Sequence, residues 1–237
     1  MRTWLRCIAL LLLVAPDDPA VLAEKVPESG PVEVSPREGP SEATLEAEFS
    51  RIREALRDTP EFKGNDAESH FRLGEVLGHR GDLTGAAEEY RTAIRLRPEF
   101  AEAYRGLGVV QMDRHDWAGA VESLLATIRL RGDDAEAFYW LGRALMAQRD
   151  WTGAATALRR ATQLKPDDAE AYADLGLVCM VRGDLAGASK ALRHAVQLKP
   201  DNADTHHLLE TVLAFQQDPE HVARAARRIL ENLFARE

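Results

Sequence analysis

Cysteine is scarce: Cys7 and Cys179 are the two in 237 residues, so a disulfide-stapled scaffold is excluded. Aromatic residues make up 6% of the chain. No apolar run approaches the roughly 18 residues that cross a bilayer. Basic side chains are in deficit, 30 Lys and Arg against 39 Asp and Glu, for a formal charge of -9. No basic stripe compensates, which counts against nucleic acid as a partner, since phosphate binding is driven by clustered cations that release counterions. The G-x-x-x-x-G-K phosphate loop and the G-x-S-x-G nucleophile elbow are both missing. The charges that are present alternate in sign along the chain, as on solvated faces of amphipathic helices.

The first 23 residues have the order of a secretory signal peptide. Arg2 and Arg6 precede an apolar core from Cys7 to Ala15, and a Pro-containing stretch ends at Val21-Leu22-Ala23, where cleavage is expected. Asp17 and Asp18 close the apolar core at about half the length of a spanning helix. An exported location follows as an expectation, in a bacterial periplasm or outside the cell, with Cys179 the cysteine left after cleavage. Residues 24–40 carry Pro27, Gly30, Pro31, Pro36, Gly39 and Pro40 and are expected to form a linker. Over 41–60, Ser41 suits a helix N-cap and Leu45, Phe49, Ile52 and Leu56 recur at helical spacing before Pro60, which predicts one amphipathic helix.

Beyond Asn65 the chain repeats itself with a period of 34 residues. The blocks 67–100, 101–134, 135–168 and 169–202 align without gaps, and 203–237 is a weaker copy. Leu-Gly recurs as Leu73-Gly74, Leu107-Gly108, Leu141-Gly142 and Leu175-Gly176. Further on come Ala86, Ala120, Ala154 and Ala188, then Tyr90, Leu124, Leu158 and Leu192, then Ala93, Thr127, Ala161 and Ala195. Pro98, Pro166 and Pro200 close three blocks, with Gly132 in the corresponding place of the second. Asp82, Asp116, Asp150 and Asp184 stand where a second helix would begin and can cap its free N–H groups. Gly81 and Gly183 suit a left-handed residue at a helix end. Glu68, Glu102, Glu136, Glu170 and Asp204 fall in a first turn, where a carboxylate favours the helix dipole by roughly 0.3 to 1 kcal/mol.

This set of positions resembles the tetratricopeptide repeat, a pair of antiparallel helices. The resemblance implies an all-α fold, a right-handed superhelical solenoid of helix pairs, with the weak fifth copy, which has Glu210 in place of the glycine, as a terminal cap. It further implies that fixed positions of each first helix line a concave groove that holds another polypeptide. Carried over residue by residue, these are Arg105, Val109 and Met112 in the second block, Tyr139, Arg143 and Met146 in the third, and Ala173, Leu177 and Met180 in the fourth. The three methionines form either an adaptable apolar ladder that water reaches, which Arg72, Arg105 and Arg143 could flank as donors to carboxylates, or a seal in the gap between adjacent repeats. The Lys and Asn clamp with which some relatives grip C-terminal carboxylates has no counterpart on these first helices.

Chemistry other than binding finds no residues to carry it. His206, His207 and Glu210 share a helical face, but Thr211 stands where an H-x-x-E-H zinc site needs histidine. Cys179 occupies the place of Leu77, Gln111 and Leu145 and is read as a buried small hydrophobe. Trp117 and Trp151 follow the capping aspartates at the position of Leu83 and Leu185 and are read as core. No cofactor or metal is expected, and the chain is read as a non-enzymatic interaction module, scaffold or assembly chaperone. Self-association into a homo-oligomer is the alternative to a foreign client. Gly142 is placed where two helices touch, and Gly85 on an outer first turn that tolerates a side chain.

Overall fold

The computed structural model describes residues 66–218. The expected signal peptide, linker and N-terminal helix, and residues 219–237 of the fifth copy, lie outside them. The described residues form consecutive antiparallel helix pairs with no strands: α1 (Ala67–His79) with α2 (Leu83–Leu96), α3 (Ala101–Asp113) with α4 (Trp117–Leu130), α5 (Ala135–Ala147) with α6 (Trp151–Leu164), α7 (Ala169–Val181) with α8 (Leu185–Leu198), followed by α9 (Ala203–Gln217).

Each second helix starts as its aspartate requires. The side chains of Asp82, Asp116, Asp150 and Asp184 accept from the N–H groups of Gly85, Gly119, Gly153 and Gly187 at 2.8 to 3.0 Å. Four first helices are capped likewise, by Asp66, Asp134, Asp168 and Asn202. The turn within each pair needs a left-handed residue. Gly81 and Gly183 supply it at φ 84° and 76°, whereas His115 and Arg149 adopt φ 61° and 63° in the other two. A side chain there costs roughly 1 kcal/mol or more.

The paired helices meet at the Leu-Gly sites. A Cβ built on Gly142 would lie 2.6 Å from Leu158 Cγ, and one on Gly176 would lie 2.5 Å from Leu192 Cγ. The second-helix residue occupies the space that the glycine leaves, and Leu124, Leu158 and Leu192 are all wholly buried. Thr127, which replaces an alanine, is buried with its hydroxyl bonded to the Ser123 and Ala101 carbonyls, so the exchange leaves no polar atom unmatched. Exposed ion pairs tie the start of a repeat to its end, Glu68 to Arg97, Glu102 to Arg131 and Glu170 to Lys199. Pairs of this exposure contribute about 0 to 1 kcal/mol each.

Two expectations need correction. Gly85 is buried, and at the equivalent Gly153 and Gly187 a Cβ would stand 2.4 and 2.3 Å from the capping carboxylate. These glycines let the aspartate side chain fold over the first turn. Trp117 and Trp151 are half-buried and not core; Trp117 lies beside the His115 ring at 5.1 Å between centroids.

The described residues fall into two compact units that divide within α5, between Trp140 and Leu141. Each has its own apolar interior. In the first, Leu73, Leu77, Ala86, Ala87, Tyr90, Leu107 and Val110 form one cluster, with Phe71 and Leu83 packed against it.

Candidate functional site

In the first unit, the facing sides of α1 and α3 enclose a cleft of about 310 Å³. That is the low end of the range for ligand pockets, enough for one long side chain. Its apolar lining comes from Phe71 and Gly78 on α1, Leu83 and Tyr90 on α2, and Gly106, Val109 and Val110 on α3. Gly78 leaves the space open, whereas Tyr90 fills the room left by Gly106. Gly78 stands at the repeat position that Met112, Met146 and Met180 fill in the later repeats, and a Cβ there meets nothing nearer than Ala86 Cβ at 3.9 Å. Gly106 lies flat against the Tyr90 ring, where a Cβ would come within 2.6 Å.

Glu75, Glu102, Asp113 and Glu136 also line the cleft, with His79 and one guanidinium, that of Arg105. Arg105 is occupied already, 2.7 Å from Glu136 and 3.3 Å from the buried Asp134. Arg72 reaches Glu75, and Arg131 reaches Glu102. The Tyr90 hydroxyl is pushed up to about 12, first by burial and then by the charge of Glu75, with Arg105 acting the other way.

Of the residues expected to line a groove, Arg105 and Val109 come together in this cleft. Tyr139, half-buried in the same unit, stands edge-on to Trp140 with ring centroids 5.2 Å apart. In the second unit Met146 and Leu177 are half-buried, as is Ala173. Of the two readings of the methionines, packing holds for two of them: Met112 is 8% exposed and Met180 1%. The reason is visible at Gly78, whose Cβ direction leads to Ala86 of its own pair and Val110 of the next first helix. This repeat position points between helices.

The arginines each already have a carboxylate partner within the chain. Arg72 bonds Glu68 and Glu75 on its own helix, and Arg143 lies 3.8 Å from Asp174. The Asp174 carboxyl is nevertheless raised to about 6, because burial outweighs Arg143, and Glu170 and Asp168 add to it. Phe71, Tyr90, Gly78 and Gly106 are among the lining residues that sequence reasoning missed. The available sign was Gly78 itself, a glycine where three other repeats have methionine.

The other candidates remain scattered. His206 faces the Pro200 carbonyl at 2.8 Å, while His207 and Glu210 are exposed and 3.8 Å apart. Among the described residues, no three His, Cys, Asp or Glu side chains stand together as metal ligands would. Cys179 is 2% exposed, and burial raises its thiol above the ordinary range, the opposite of what a nucleophile needs. No described helix is long and apolar enough to cross a membrane.

Comparison with known proteins agrees with this architecture. A tetratricopeptide repeat family model matches residues 105–168 and 141–203, and a TPR repeat model matches 79–114. No curated protein matches. Among solved structures, the chain is similar to YrrB, described as a TPR protein with an unusual peptide-binding site, at 23% identity and a TM-score of 0.61 over 75% of this chain and 88% of that one. It is similar to a MamA protein at 27% identity and 0.60, over 70% of this chain and 88% of that one. A MamA fragment of Desulfovibrio magneticus RS-1 aligns at 22% and 0.61, over 73% and 98%. Four in-register helix pairs, their Leu-Gly contacts and these family matches make one statement: the chain belongs to the tetratricopeptide repeat family.

Proposed function

We propose that this protein is an exported interaction module, a scaffold or assembly chaperone that holds a segment of another polypeptide against its first helices, with the cleft between α1 and α3 as the principal contact. The observation that carries this reading is the cleft itself. A repeat whose only task was stacking would fill position 78 as the later repeats do, with methionine; here the position is left open above an aromatic floor. That YrrB is described as having a peptide-binding site supports the same reading. Export rests on the order of charged, apolar and Val-Leu-Ala segments in residues 1–23.

A photoreactive residue placed at Val109, and separately at the exposed Leu125 on α4, tests the reading in cells. The expected result is a polypeptide adduct from position 109 that position 125 does not give, on a protein whose N-terminus is Glu24. Equal adducts from both positions would contradict the cleft as the contact, and an intact Met1 on soluble protein would contradict export.

A further inference from the structure

We propose that the cleft between α1 and α3 selects a Lys or Arg side chain of the bound segment, taking the aliphatic stem against Phe71, Tyr90 and Val109 and the cationic head among Glu75, Asp113 and Glu136. This rests on the reading of the cleft as a polypeptide site and adds the chemistry of its occupant. It reverses the sequence-based expectation that arginines of this chain would receive carboxylates.

Charge complementarity is the argument. Four carboxylates, one guanidinium and the His79 imidazole line the cleft. Counting the groups that reach the lining from outside, Asp134, Arg72 and Arg131, carboxylates still outnumber guanidiniums five to three. An incoming carboxylate would meet this excess with Arg105 already bonded to two carboxylates. An incoming cation meets an excess of its opposite sign.

Depth and shape decide the rest. Tyr90 and Val110 are buried, Glu75 is half-buried, and Asp113 and Glu136 are exposed, a gradient that suits a long stem with a charged tip. A short polar side chain would leave the floor wet, and a purely apolar one would strip water from the rim carboxylates without replacing it, at a cost in affinity. Lys and Arg satisfy both levels together.

The test uses the full chain and three fluorescein-labelled peptides of equal length, in which leucine alternates with arginine, glutamine or glutamate, followed by anisotropy at physiological and at raised salt. The arginine peptide is expected to bind at least about fivefold tighter than the glutamine peptide, with the advantage shrinking as salt screens the rim, and the glutamate peptide is expected to bind weakest. Gly78→Met fills the cleft and should abolish arginine-peptide binding while leaving the melting temperature unchanged or higher, since methionine is the better helix former. The double variant Glu75→Gln with Asp113→Asn, which changes no buried packing, should bring the arginine peptide to the level of the glutamine peptide. Equal binding of arginine and glutamine peptides, both lost in Gly78→Met, would overturn the charge preference and leave the polypeptide site standing. Binding unaffected by Gly78→Met, or absent for every peptide, would overturn both.

Discussion

The same substitution, glycine to alanine, should have opposite effects at Gly142 and Gly78. In a helix interior the exchange alone stabilises by about 0.8 to 1 kcal/mol, because alanine loses less backbone freedom on folding. At Gly78 the new Cβ finds its nearest neighbours at 3.9 and 4.0 Å, ordinary contact, so the full gain should appear. At Gly142 it lands 2.6 Å from Leu158 Cγ and 2.9 Å from Cδ2. Leu158 has no exposed surface and cannot withdraw without displacing its neighbours. Overpacking of this kind costs about 1 to 3 kcal/mol, which outweighs the propensity gain by roughly 1 kcal/mol. For a chain of this size 1 kcal/mol moves the melting temperature by about 2–4 °C. Thermal melts followed by circular dichroism at 222 nm should therefore show Gly78→Ala rising and Gly142→Ala falling. Shifts of the same sign and size would mean that the Leu-Gly contact does not set the approach of the paired helices.

Met180→Glu should destabilise by several kcal/mol, because it places a carboxylate where 1% of the side chain is exposed, whereas Met146→Glu at a half-buried site should cost much less; chemical denaturation compares them directly. His115→Gly relieves a left-handed side chain at φ 61° and should raise stability by about 1 kcal/mol, with no change in helix content. Asp174 gives a pH signature. Its carboxyl is raised from 3.8 to about 6 in the folded chain, so folding favours the protonated form. The stability it contributes is fully present below pH 3.8 and is lost as pH rises through about 6, by at most roughly 3 kcal/mol. Asp174→Asn should then raise the melting temperature at pH 7.5 and have little effect near pH 4, and an equal shift at both would refute the assignment.

The repeat fold was legible because its determinants are local and recur. The capping aspartates, the Leu-Gly pairs and the buried leucines each repeat at the same offset, and a period cannot arise from chance propensity four times in register. The site was harder to read, for two physical reasons. Position on a helix face does not separate a groove from the seam between neighbouring helices, which is why the sequence leaves both open for Met112 and Met180 and only their burial decides for the seam. Ion pairs between residues 29 apart, such as Arg105 with Asp134, depend on how repeats stack and are invisible in local sequence. Without them Arg105 and Arg143 look unengaged, and the cleft takes the wrong sign of charge. The cleft itself comes from a side chain that is missing, at Gly78, and an absence shows only when repeats are compared position by position.

Amide hydrogen exchange on the full chain, alone and saturated with the leucine–arginine peptide, tests the central claim most directly, since it locates the bound segment without any substitution. The account predicts slowed exchange in α1 and α3, over Ala67–His79 and Ala101–Asp113, with α2 and α4 unchanged except around Tyr90. Protection confined to the second helices of the pairs would contradict it.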